Sequence, residues 1–583
     1  MLHTLTRSLR ENKGPALVTV LLSALEVVFE IVIPLFMSNL IDFGIEGGSM
    51  AAVWKFGAFL LLLAAFQLAT GVLAARIAAR ASVGFAANLR EDMYNNVQTF
   101  AFSNIDKFST ASIVTRLTTD TTNVQNAFQM LMRMAIRAPV MLVFSMIVSF
   151  RISRDISMTF LIILPILALA LFFIIRSVFP VFTRVFRTYD ELNNVVQENV
   201  RGIRVVKSFN QERHEIGKFG AISERIYKDF SKGERLITLN APLMQFCIYT
   251  CMIVISWLGA KAIIASGNDP ALGLTTGNLT ALITYTMQIL SSLMMLSMVF
   301  AMLTISLSSA RRIAEVLEER SDIPQPEQPV MTVRDGAVDF DHVSFVYASK
   351  ADKKVLDDID LHIRSGETIG IIGGTGASKS SLVQLIPRLY DVTGGKLTLG
   401  GVDVRDYDLD TLRGAVAMVL QKNELFSGTI AENLRWGNEN ATDEQLRHAC
   451  ELACADGFIS AMADGYDTHI EQGGTNVSGG QKQRLCIARA LLKKPKVLIL
   501  DDSTSAVDTR TDAQIQQALS TYIPDTTKII IAQRISSVQN ADRIVVLDDG
   551  RINAVGSHDE LLRSCEIYRE VYESQQKGGE DDA

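Results

Sequence analysis

Six apolar segments in the first half of this 583-residue chain constrain its fold more than any other feature. A helix needs roughly 20 apolar residues to cross a lipid bilayer, and segments near that length do not recur after about Pro329. Because the bilayer core offers the backbone no hydrogen-bonding partner, such segments are predicted to be helical. The six predicted spans are Pro15–Ile41, Val53–Ala78, Ala135–Phe150, Ser157–Phe182, Ile237–Ala265 and Leu279–Leu307.

The loops between the spans predict how the chain is oriented in the membrane. Short loops follow spans one, three and five, whereas about 55 residues follow spans two and four. Both long loops are rich in Arg and Lys, and the first short loop, Asp42–Ser49, is acidic and nearly free of them. Because cytoplasmic loops carry an excess of Arg and Lys, the N-terminus, both long loops and the second half are predicted to be cytoplasmic. The chain is therefore predicted to be a multi-pass protein of the plasma membrane.

Both long loops are predicted to extend the spans into the cytoplasm as helical stalks. Arg90–Phe100 and Asp190–Ser208 mix polar and apolar residues at helical spacing, with few helix breakers. The tip of each stalk is predicted to lie on a cytoplasmic domain, at Thr110–Arg116 and at Ser208–Glu212. Ordinary soluble linkers are the alternative interpretation of these loops.

Two groups of residues inside the spans are candidates for a substrate cavity. Glu26 and Glu30 are four residues apart and so share one helix face, and ionisable groups in a membrane usually face a bundle interior or a water-filled cavity. The methionines of span six also share a face, and flexible thioethers suit varied apolar ligands: Met287, Met294, Met298 and Met302. The alternatives are that Glu30 lies near the wet outer end of its span and that the methionines pack between helices.

Composition divides the chain into four parts. Residues 1–310 form the transmembrane domain, 311–335 a linker that is first charged and then Pro-rich, 336–577 a soluble domain, and 578–583 a tail. The net charge of −7 argues against nucleic acid as a partner. The six cysteines show neither metal nor disulfide spacing and are interpreted as reduced core residues.

A glycine-rich segment of the soluble half, Gly370–Leu382, predicts a phosphate-binding loop. It begins as an apolar strand and continues into a helix-like segment, which is the context such a loop requires. Backbone N–H groups of the loop would hold phosphate oxygens. Lys379 would reach the β- and γ-phosphates, and the Ser380 hydroxyl would bind Mg²⁺. In the pattern G-x-x-x-x-G-K-[ST] the second glycine is replaced here by Ser378, so an ordinary Gly-rich turn before a helix is the alternative.

Further motifs follow in an order that suits a nucleotide site. Val338–Tyr347 alternates like a strand, and its Tyr347 would stack on an adenine ring, although a strand Tyr is more often a packing residue. Gln421 follows the apolar strand Ala415–Leu420. The apolar residues that end in Asp501 describe a buried parallel strand whose terminal carboxylate would bind Mg²⁺ beside the phosphate loop.

Together these motifs resemble the nucleotide-binding domain of the ABC transporter superfamily. The stretch Val477–Gln481, which reads VSGGQ, is nearly diagnostic of that family. Six spans with two long cytoplasmic loops ahead of such a domain are similar to an ABC exporter half-transporter of the multidrug and lipid type. The fold class implied is an α-helical six-span transmembrane domain fused to an α/β P-loop (ABC-type) nucleotide-binding domain. In that family two chains pair head to tail, and each ATP is held by the phosphate loop of one chain and the signature of the other.

The resemblance implies a role for each matching position. Tyr347 would stack on adenine, and ATP phosphates would lie against the loop made of Gly373, Gly374, Thr375, Gly376, Ala377, Ser378, Lys379, Ser380 and Ser381. The Mg²⁺ ligands would be Ser380, Gln421 and Asp501. The signature, acting on the partner's ATP, would be Val477, Ser478, Gly479, Gly480 and Gln481. The loop crossing to the opposite site would be Ser505, Ala506, Val507 and Asp508, and the two stalk tips would be the coupling elements.

Three positions depart from the family pattern, and all belong to the site built on this chain's own phosphate loop. Ser378 replaces a glycine, Asp502 replaces the glutamate that polarises the attacking water, and Gln533 replaces a histidine that contacts the γ-phosphate. Aspartate is one methylene shorter than glutamate, and a misplacement of about 1 Å can lower a rate roughly 100-fold. Gln533 can donate a hydrogen bond but has no nitrogen that titrates near neutrality.

The distribution of these changes predicts a division of labour between two chains. The signature is intact apart from Val477, where the family has leucine. The pattern resembles the degenerate-site half of a bacterial heterodimeric ABC exporter, which would move amphipathic or apolar compounds outward with ATP and Mg²⁺. The alternatives are a homodimeric lipid or peptide exporter with two slow sites, and a regulatory module that is gated by ATP.

Overall fold

The computed structural model describes residues 1–269, 273–347 and 354–580, and the last three residues of the predicted tail lie outside the described part. The chain forms two compact units. The first contains residues 1–98 and 110–319, and the second contains residues 99–109 together with the chain from Arg320 onward. The predicted change from a membrane half to a soluble half therefore falls close to the boundary between the units.

Helices make up the secondary structure of the first 319 residues. Two π-helical segments adjoin long α-helices. Leu40–Glu46 follows one of them, and Arg116–Asp120 precedes another. The α-helices are α1 (Leu2–Arg7), α2 (Lys13–Asn39), α3 (Met50–Gln98), α4 (Phe102–Lys107), α5 (Thr110–Thr115), α6 (Thr121–Ile152), α7 (Arg154–Arg201), α8 (Ile203–Ser208), α9 (Glu212–Thr238), α10 (Asn240–Ser266) and α11 (Thr276–Glu318).

Six helical segments of the described chain are long and apolar enough to cross a membrane, which confirms the predicted number of spans. Their apolar parts are rich in exposed large side chains, such as Leu61 and Trp257, as expected for a surface in contact with lipid tails. The helices continue far beyond the apolar parts. With 49 residues, α3 is about 74 Å long, more than twice the thickness of the hydrocarbon core. The helical character predicted for the long loops is thus present, because α3 and α7 continue through the polar segments.

The first predicted stalk tip is misplaced by about ten residues. Thr110–Thr115 forms a helix of the first unit, whereas the segment that packs with the second unit is Thr99–Ser109. Within the second unit, the Tyr390 hydroxyl donates to Asp106 at 2.9 Å, and the Phe102 ring lies 6.0 Å from the Tyr390 ring. The physical reason is apolar burial, since Phe100 and Phe108 of this segment are both buried and their rings stack at a centroid distance of 6.0 Å. The second predicted tip coincides with the turn between α8 and α9.

The second unit contains one four-stranded antiparallel sheet, one six-stranded mainly parallel sheet and a two-stranded ribbon. The strand order is β2-β1-β4-β5 in the first sheet and β12-β11-β3-β10-β9-β6 in the second. The strands are β1 (Val338–Phe345), β2 (Leu356–Ile363), β3 (Thr368–Gly373), β4 (Gly394–Leu399), β5 (Val402–Asp403), β6 (Val416–Val419), β7 (Gly428–Thr429), β8 (His469–Ile470), β9 (Val497–Asp501), β10 (Thr527–Ile531), β11 (Arg543–Asp548) and β12 (Arg551–Gly556).

The helices of the second unit cover these sheets and enclose two apolar cores. Both cores combine Ile, Leu and Val residues of the strands with apolar residues of the helices, and the central parallel strands β3, β9 and β10 are buried on both faces, as in other α/β sheets. All six cysteines are free thiols, and all except Cys454 are buried. The helices are α12 (Lys379–Gln384), α13 (Leu409–Ala415), α14 (Ile430–Arg435), α15 (Asp443–Leu452), α16 (Asp456–Ser460), α17 (Gly479–Leu492), α18 (Thr509–Tyr522), α19 (His558–Ser564) and α20 (Glu566–Glu580).

The topology of the six-stranded sheet brings four separate motifs to one edge. Strands β3, β10, β9 and β6 are neighbours and run parallel. Their carboxyl ends therefore lie side by side, where α/β sheets place their ligand sites. The chain continues from β3 into the phosphate loop, from β6 to Gln421, from β9 to Asp502 and from β10 to Gln533.

Candidate nucleotide-binding site

The phosphate-binding loop lies between β3 and α12, as the sequence predicts. Lys379 donates from Nζ to the carbonyl oxygens of Gly373 (2.8 Å) and Gly374 (2.9 Å), so its ammonium group already lies over the loop. A side chain at Gly373 would put a Cβ 2.2 Å from the Leu547 carbonyl oxygen, which explains why glycine is needed there. Burial lowers the pKa of Lys379, and the nearby carboxylates of Asp501 and Asp502 oppose this shift.

Ser378 adopts a backbone conformation that favours glycine. Its φ is +68° and its ψ is +23°, in the left-handed region, at the residue that precedes α12. A residue with a Cβ loses roughly 1 kcal/mol in that region relative to glycine. The serine therefore preserves the shape of the loop at some cost in stability.

Asp501 and Ser380 form the part of the site that suits a divalent cation. Asp501 is buried at the end of β9, and the Ser380 side chain lies near its carboxylate. Burial raises the pKa of Asp501, and the nearby Ser380 side chain partly opposes this. A carboxylate and a hydroxyl are hard oxygen ligands of the kind Mg²⁺ prefers, and Mg²⁺ usually takes only one or two protein carboxylates plus phosphate oxygens and water. The residues present therefore fit the predicted ion.

The Asp502 carboxylate is held by two side-chain amides. Gln533 donates from Nε2 to Oδ2 of Asp502 at 2.7 Å, and Gln421 donates to the same oxygen at 3.3 Å. The Asp502 backbone is left-handed, with φ of +48°, a region that Asp tolerates better than most residues. The structure thus brings together two of the three departures from the family pattern, Asp502 and Gln533, and Gln421 contacts Asp502 rather than Asp501.

Gln575 is a residue of this neighbourhood that sequence reasoning missed. Its side-chain amide donates to the Gln533 carbonyl oxygen (2.7 Å) and accepts from the Ile535 N–H (2.9 Å). It thereby binds the loop after β10 through both of its polar atoms. Its helix, α20, is anchored by the fully buried Tyr568. No local pattern marks Gln575, because its partners are about 40 residues away in the sequence.

We expect Gln575→Ala to loosen the loop that contains Gln533. Loss of one hydrogen bond of about 1 kcal/mol should make the Ile535 N–H exchange with solvent about fivefold faster. Hydrogen–deuterium exchange of the peptide that covers residues 533–540 measures this. The matched control is Gln576→Ala, since Gln576 contacts the Tyr572 hydroxyl instead. Equal exchange in both variants would contradict the assigned contact.

The signature lies at the start of α17 and helps to form a separate recess. Ser478 is the N-cap of α17 and forms a capping box with Gln481, in which the Ser478 N–H donates to the Gln481 side chain at 2.9 Å. The recess has a volume of about 310 Å³, and none of its lining residues belongs to the phosphate loop. It is lined by Ser478, Gly479, Gly480, Arg484, Ala506, Val507 and Asp508. The predicted signature and the predicted crossing loop are therefore neighbours.

Close packing explains why glycine follows the signature serine. A Cβ at Gly480 would lie 2.8 Å from the Ala506 carbonyl oxygen. Gln483, which sequence reasoning missed, fixes the crossing loop by accepting from the Ala506 N–H at 3.0 Å and donating to the Ser505 hydroxyl at 3.2 Å. The signature and the crossing loop are thus held together within one chain.

Tyr347 retains an exposed ring, as an adenine-stacking residue requires. Its ring is packed edge-on against Phe345 and Tyr390, and 45% of the residue is exposed. Its hydroxyl is 2.7 Å from the Ser381 hydroxyl, which connects it to the phosphate loop.

The candidate cavity residues of the membrane half are only partly brought together. Glu26 and Glu30 share a face, as predicted, and both bind Arg137, which sequence reasoning missed. Met287 lies on the wall of a cavity beside Glu30. Met294 and Met298 are exposed and do not line that cavity.

Comparisons with known proteins agree with this architecture. Residues 16–294 match the family model for the ABC transporter transmembrane region, and residues 356–505 match the model described as ABC transporter. The chain is 35% identical over 558 residues to YfiB of Bacillus subtilis, an uncharacterized ABC transporter ATP-binding protein, covering 96% of each chain. It is 33% identical to Rv1273c of Mycobacterium tuberculosis, which has the same description, covering 99% of this chain and 98% of the relative.

A solved structure shares the fold of the whole chain. The structure of a bacterial Atm1-family ABC exporter with ATP bound superposes with a TM-score of 0.80 at 24% identity, covering 97% of this chain and 98% of the other. The chain therefore belongs to the ABC transporter family, as a multi-pass membrane protein that couples a cytoplasmic ATPase domain to transport.

Proposed function

We propose that this chain is the degenerate-site half of a heterodimeric ABC exporter that moves amphipathic or apolar compounds out across the membrane. Its own site would bind ATP and hydrolyse it slowly, and its signature would complete the competent site of a different partner chain. One observation supports this assignment above all others. Ser378, Asp502 and Gln533 all belong to the half-site around the phosphate loop, whereas the signature Ser478–Gln481, three residues of which line the separate recess, keeps the family pattern apart from Val477 just before it.

The residues around the phosphate loop are suited to binding ATP. Lys379 is positioned over the loop and would exchange its carbonyl partners for phosphate oxygens. Mg²⁺ would be held by Ser380, Asp501 and Gln421, and it would supply charge neutralisation at the phosphates. Gln421 would have to give up its hydrogen bond to Asp502 to take that role.

The residues that would activate the attacking water are less suited to that role than the glutamate and histidine of the family pattern. The Asp502 carboxylate is one methylene shorter than that of glutamate, and Gln533 and Gln421 both bind its Oδ2 oxygen. An amide cannot accept the proton that a histidine would take near neutral pH. Binding without rapid hydrolysis is the behaviour that this arrangement favours.

The composition of the native complex tests the proposal. We expect affinity-tagged chain, purified from its natural host and analysed by native mass spectrometry, to appear as a one-to-one complex with a second ABC half-transporter. The partner should have glutamate and histidine at the positions of Asp502 and Gln533. A homodimer that hydrolyses ATP rapidly and transports would refute the proposal. In vesicles, nucleotide-dependent gating without net ATP-driven movement of substrate would favour the regulatory alternative.

A further inference from the structure

An ion network inside the membrane half has one more carboxylate than it has cations. Arg137 of α6 donates from one terminal nitrogen to Glu26 Oε1 (2.9 Å) and from the other to Glu30 Oε2 (2.7 Å), both on α2. Glu26 is the more buried partner, with 10% of its side chain exposed against 23% for Glu30. With Glu26, Arg137 and Glu30 ionised, the network has a net charge of −1. Uncompensated charge is costly inside a membrane and usually marks a functional site.

The fold makes room for Glu26 but leaves Glu30 beside a cavity. A Cβ at Gly71 of α3 would lie 3.3 Å from Glu26 Oε1, so the glycine allows α3 to approach the carboxylate. Glu26 is absent from the wall of the cavity, which has a volume of about 190 Å³. The two charged residues on the wall are Glu30 and Arg137. Glu26 with Arg137 is therefore a packed pair, and Glu30 is the carboxylate that a ligand can reach.

The remainder of the cavity wall is neutral: four of its seven residues are apolar, and the polar ones are Gln288, Ser291 and Ser292. Met141, Met287 and Met295 line it, and their thioethers adapt to apolar groups of varied shape. Gln288 also lines it, but its amide already donates to the Glu30 carbonyl oxygen (3.2 Å) and accepts from the Ser145 hydroxyl (3.1 Å). The net negative charge of the network, which reaches the cavity at Glu30, is therefore the feature by which the cavity would select a charged group.

We propose that this cavity binds an organic ammonium group of the transported compound. This inference rests on the proposed function and names its substrate class. The ammonium would replace Arg137 at Glu30 and bring the local charge to zero, while Arg137 would keep Glu26. An anion bound to Arg137 would instead change the local charge from −1 to −2, which the membrane interior disfavours. The cavity is smaller than the roughly 300–1,000 Å³ of sites for whole drug-sized ligands, so it suits a head group and the first carbons attached to it.

Three probes of similar shape test the inference. Hexyltrimethylammonium is the cation, 2,2-dimethyloctane is its neutral isostere, and hexanesulfonate is an anion of similar length. Binding of radiolabelled hexyltrimethylammonium is measured on the purified full-length complex in nanodiscs of zwitterionic lipid, with the other two probes as competitors. We expect saturable binding of the cation and no competition by the others. Competition of equal strength by the neutral or the anionic probe would overturn the inference.

Substitutions then assign the binding to Glu30. Glu30→Gln should weaken binding of the cation by at least about tenfold, because the charge attraction between the carboxylate and the ammonium is lost. Glu46→Gln, which changes a glutamate outside the cavity, should leave the affinity unchanged. Should Glu30→Gln fail to assemble, Ser291→Leu fills the cavity from its wall and should abolish binding. Unchanged affinity in Glu30→Gln, or in a folded Ser291→Leu complex, would refute the site.

The same samples separate this inference from the proposed function. Native mass spectrometry of the purified complex reports whether a second half-transporter is present, whatever the binding result. A homodimer that binds the cation through Glu30 would refute the division of labour and leave the site standing. A heterodimer that binds all three probes equally would refute the cation site and leave the division of labour standing.

Discussion

Ser478→Asp should lower the ATP turnover of the assembled transporter by about 100-fold or more while leaving the chain folded. Asp is as good an N-cap as Ser, so the hydrogen bond to the Gln481 N–H and the start of α17 should survive. The new carboxylate would lie in the recess that we assign to the partner's γ-phosphate, where it would repel the nucleotide. Loss of a single group that stabilises charge in a transition state costs about 10²–10³ in rate. Steady-state ATP hydrolysis of the purified complex measures the effect.

Thr442→Asp is the matched control for this variant. Thr442 is the N-cap of α15 and forms the same kind of capping box, but it does not line the recess. Turnover should therefore remain close to that of the unmodified complex. Turnover reduced equally by both substitutions would mean that Ser478→Asp acts through stability. Turnover that is unchanged in the Ser478→Asp complex would refute the proposed role of the signature.

Asp502→Glu combined with Gln533→His should raise ATP hydrolysis at this chain's own site by up to about 100-fold. The glutamate side chain extends about 1 Å further than that of aspartate. A displacement of that size can change a rate by about this factor. The histidine removes the Gln533 amide that now binds the carboxylate at 2.7 Å and supplies a nitrogen that titrates near neutrality. The measurement requires a complex whose partner has glutamine instead of its catalytic glutamate, so that only this site contributes.

Asp502→Asn is the control for the paired substitution. Asparagine has the size of aspartate and tolerates the left-handed backbone at φ of +48°, but its amide cannot act as a base. The Asp502→Asn variant should therefore show no gain in ATP hydrolysis. Glutamate is less suited to that φ and should cost at most about 1–2 kcal/mol of stability, which thermal unfolding would detect. Slow hydrolysis in a folded Asp502→Glu, Gln533→His complex would show that another feature limits this site.

The tip of the first cytoplasmic loop illustrates where sequence reasoning was wrong. Helical spacing predicts the stalks correctly because periodicity is a local property of the chain. The position of the tip depends instead on which short segment belongs to the second unit. Phe102 and Asp106 are fixed by Tyr390, nearly 300 residues away. Such a contact leaves no periodic signal in either segment.

The polar side chains around Asp502 illustrate the same limit of sequence reasoning within the candidate site. Motif spacing predicts that Lys379, Ser380 and Asp501 lie at one edge of the sheet, because each motif is a strand with its following loop and a parallel sheet aligns the strand ends. That Gln533 and Gln421 bind one oxygen of Asp502, and that Gln575 binds the loop behind them, follows from packing between elements far apart in the chain.

Sequence alone predicted the six spans, the α/β domain of the second half, the glycine-rich loop, the VSGGQ stretch and the departures from the family pattern at Ser378, Asp502 and Gln533. These features depend on the length of apolar runs, on periodicity and on short motifs, all of which are local. Tertiary structure alone decided that Arg137 joins Glu26 and Glu30, that Met287 rather than Met294 lines the cavity, and that Ser378 occupies a left-handed backbone position. The physical reason is that charge pairing, cavity walls and backbone handedness depend on neighbours that the linear order does not specify.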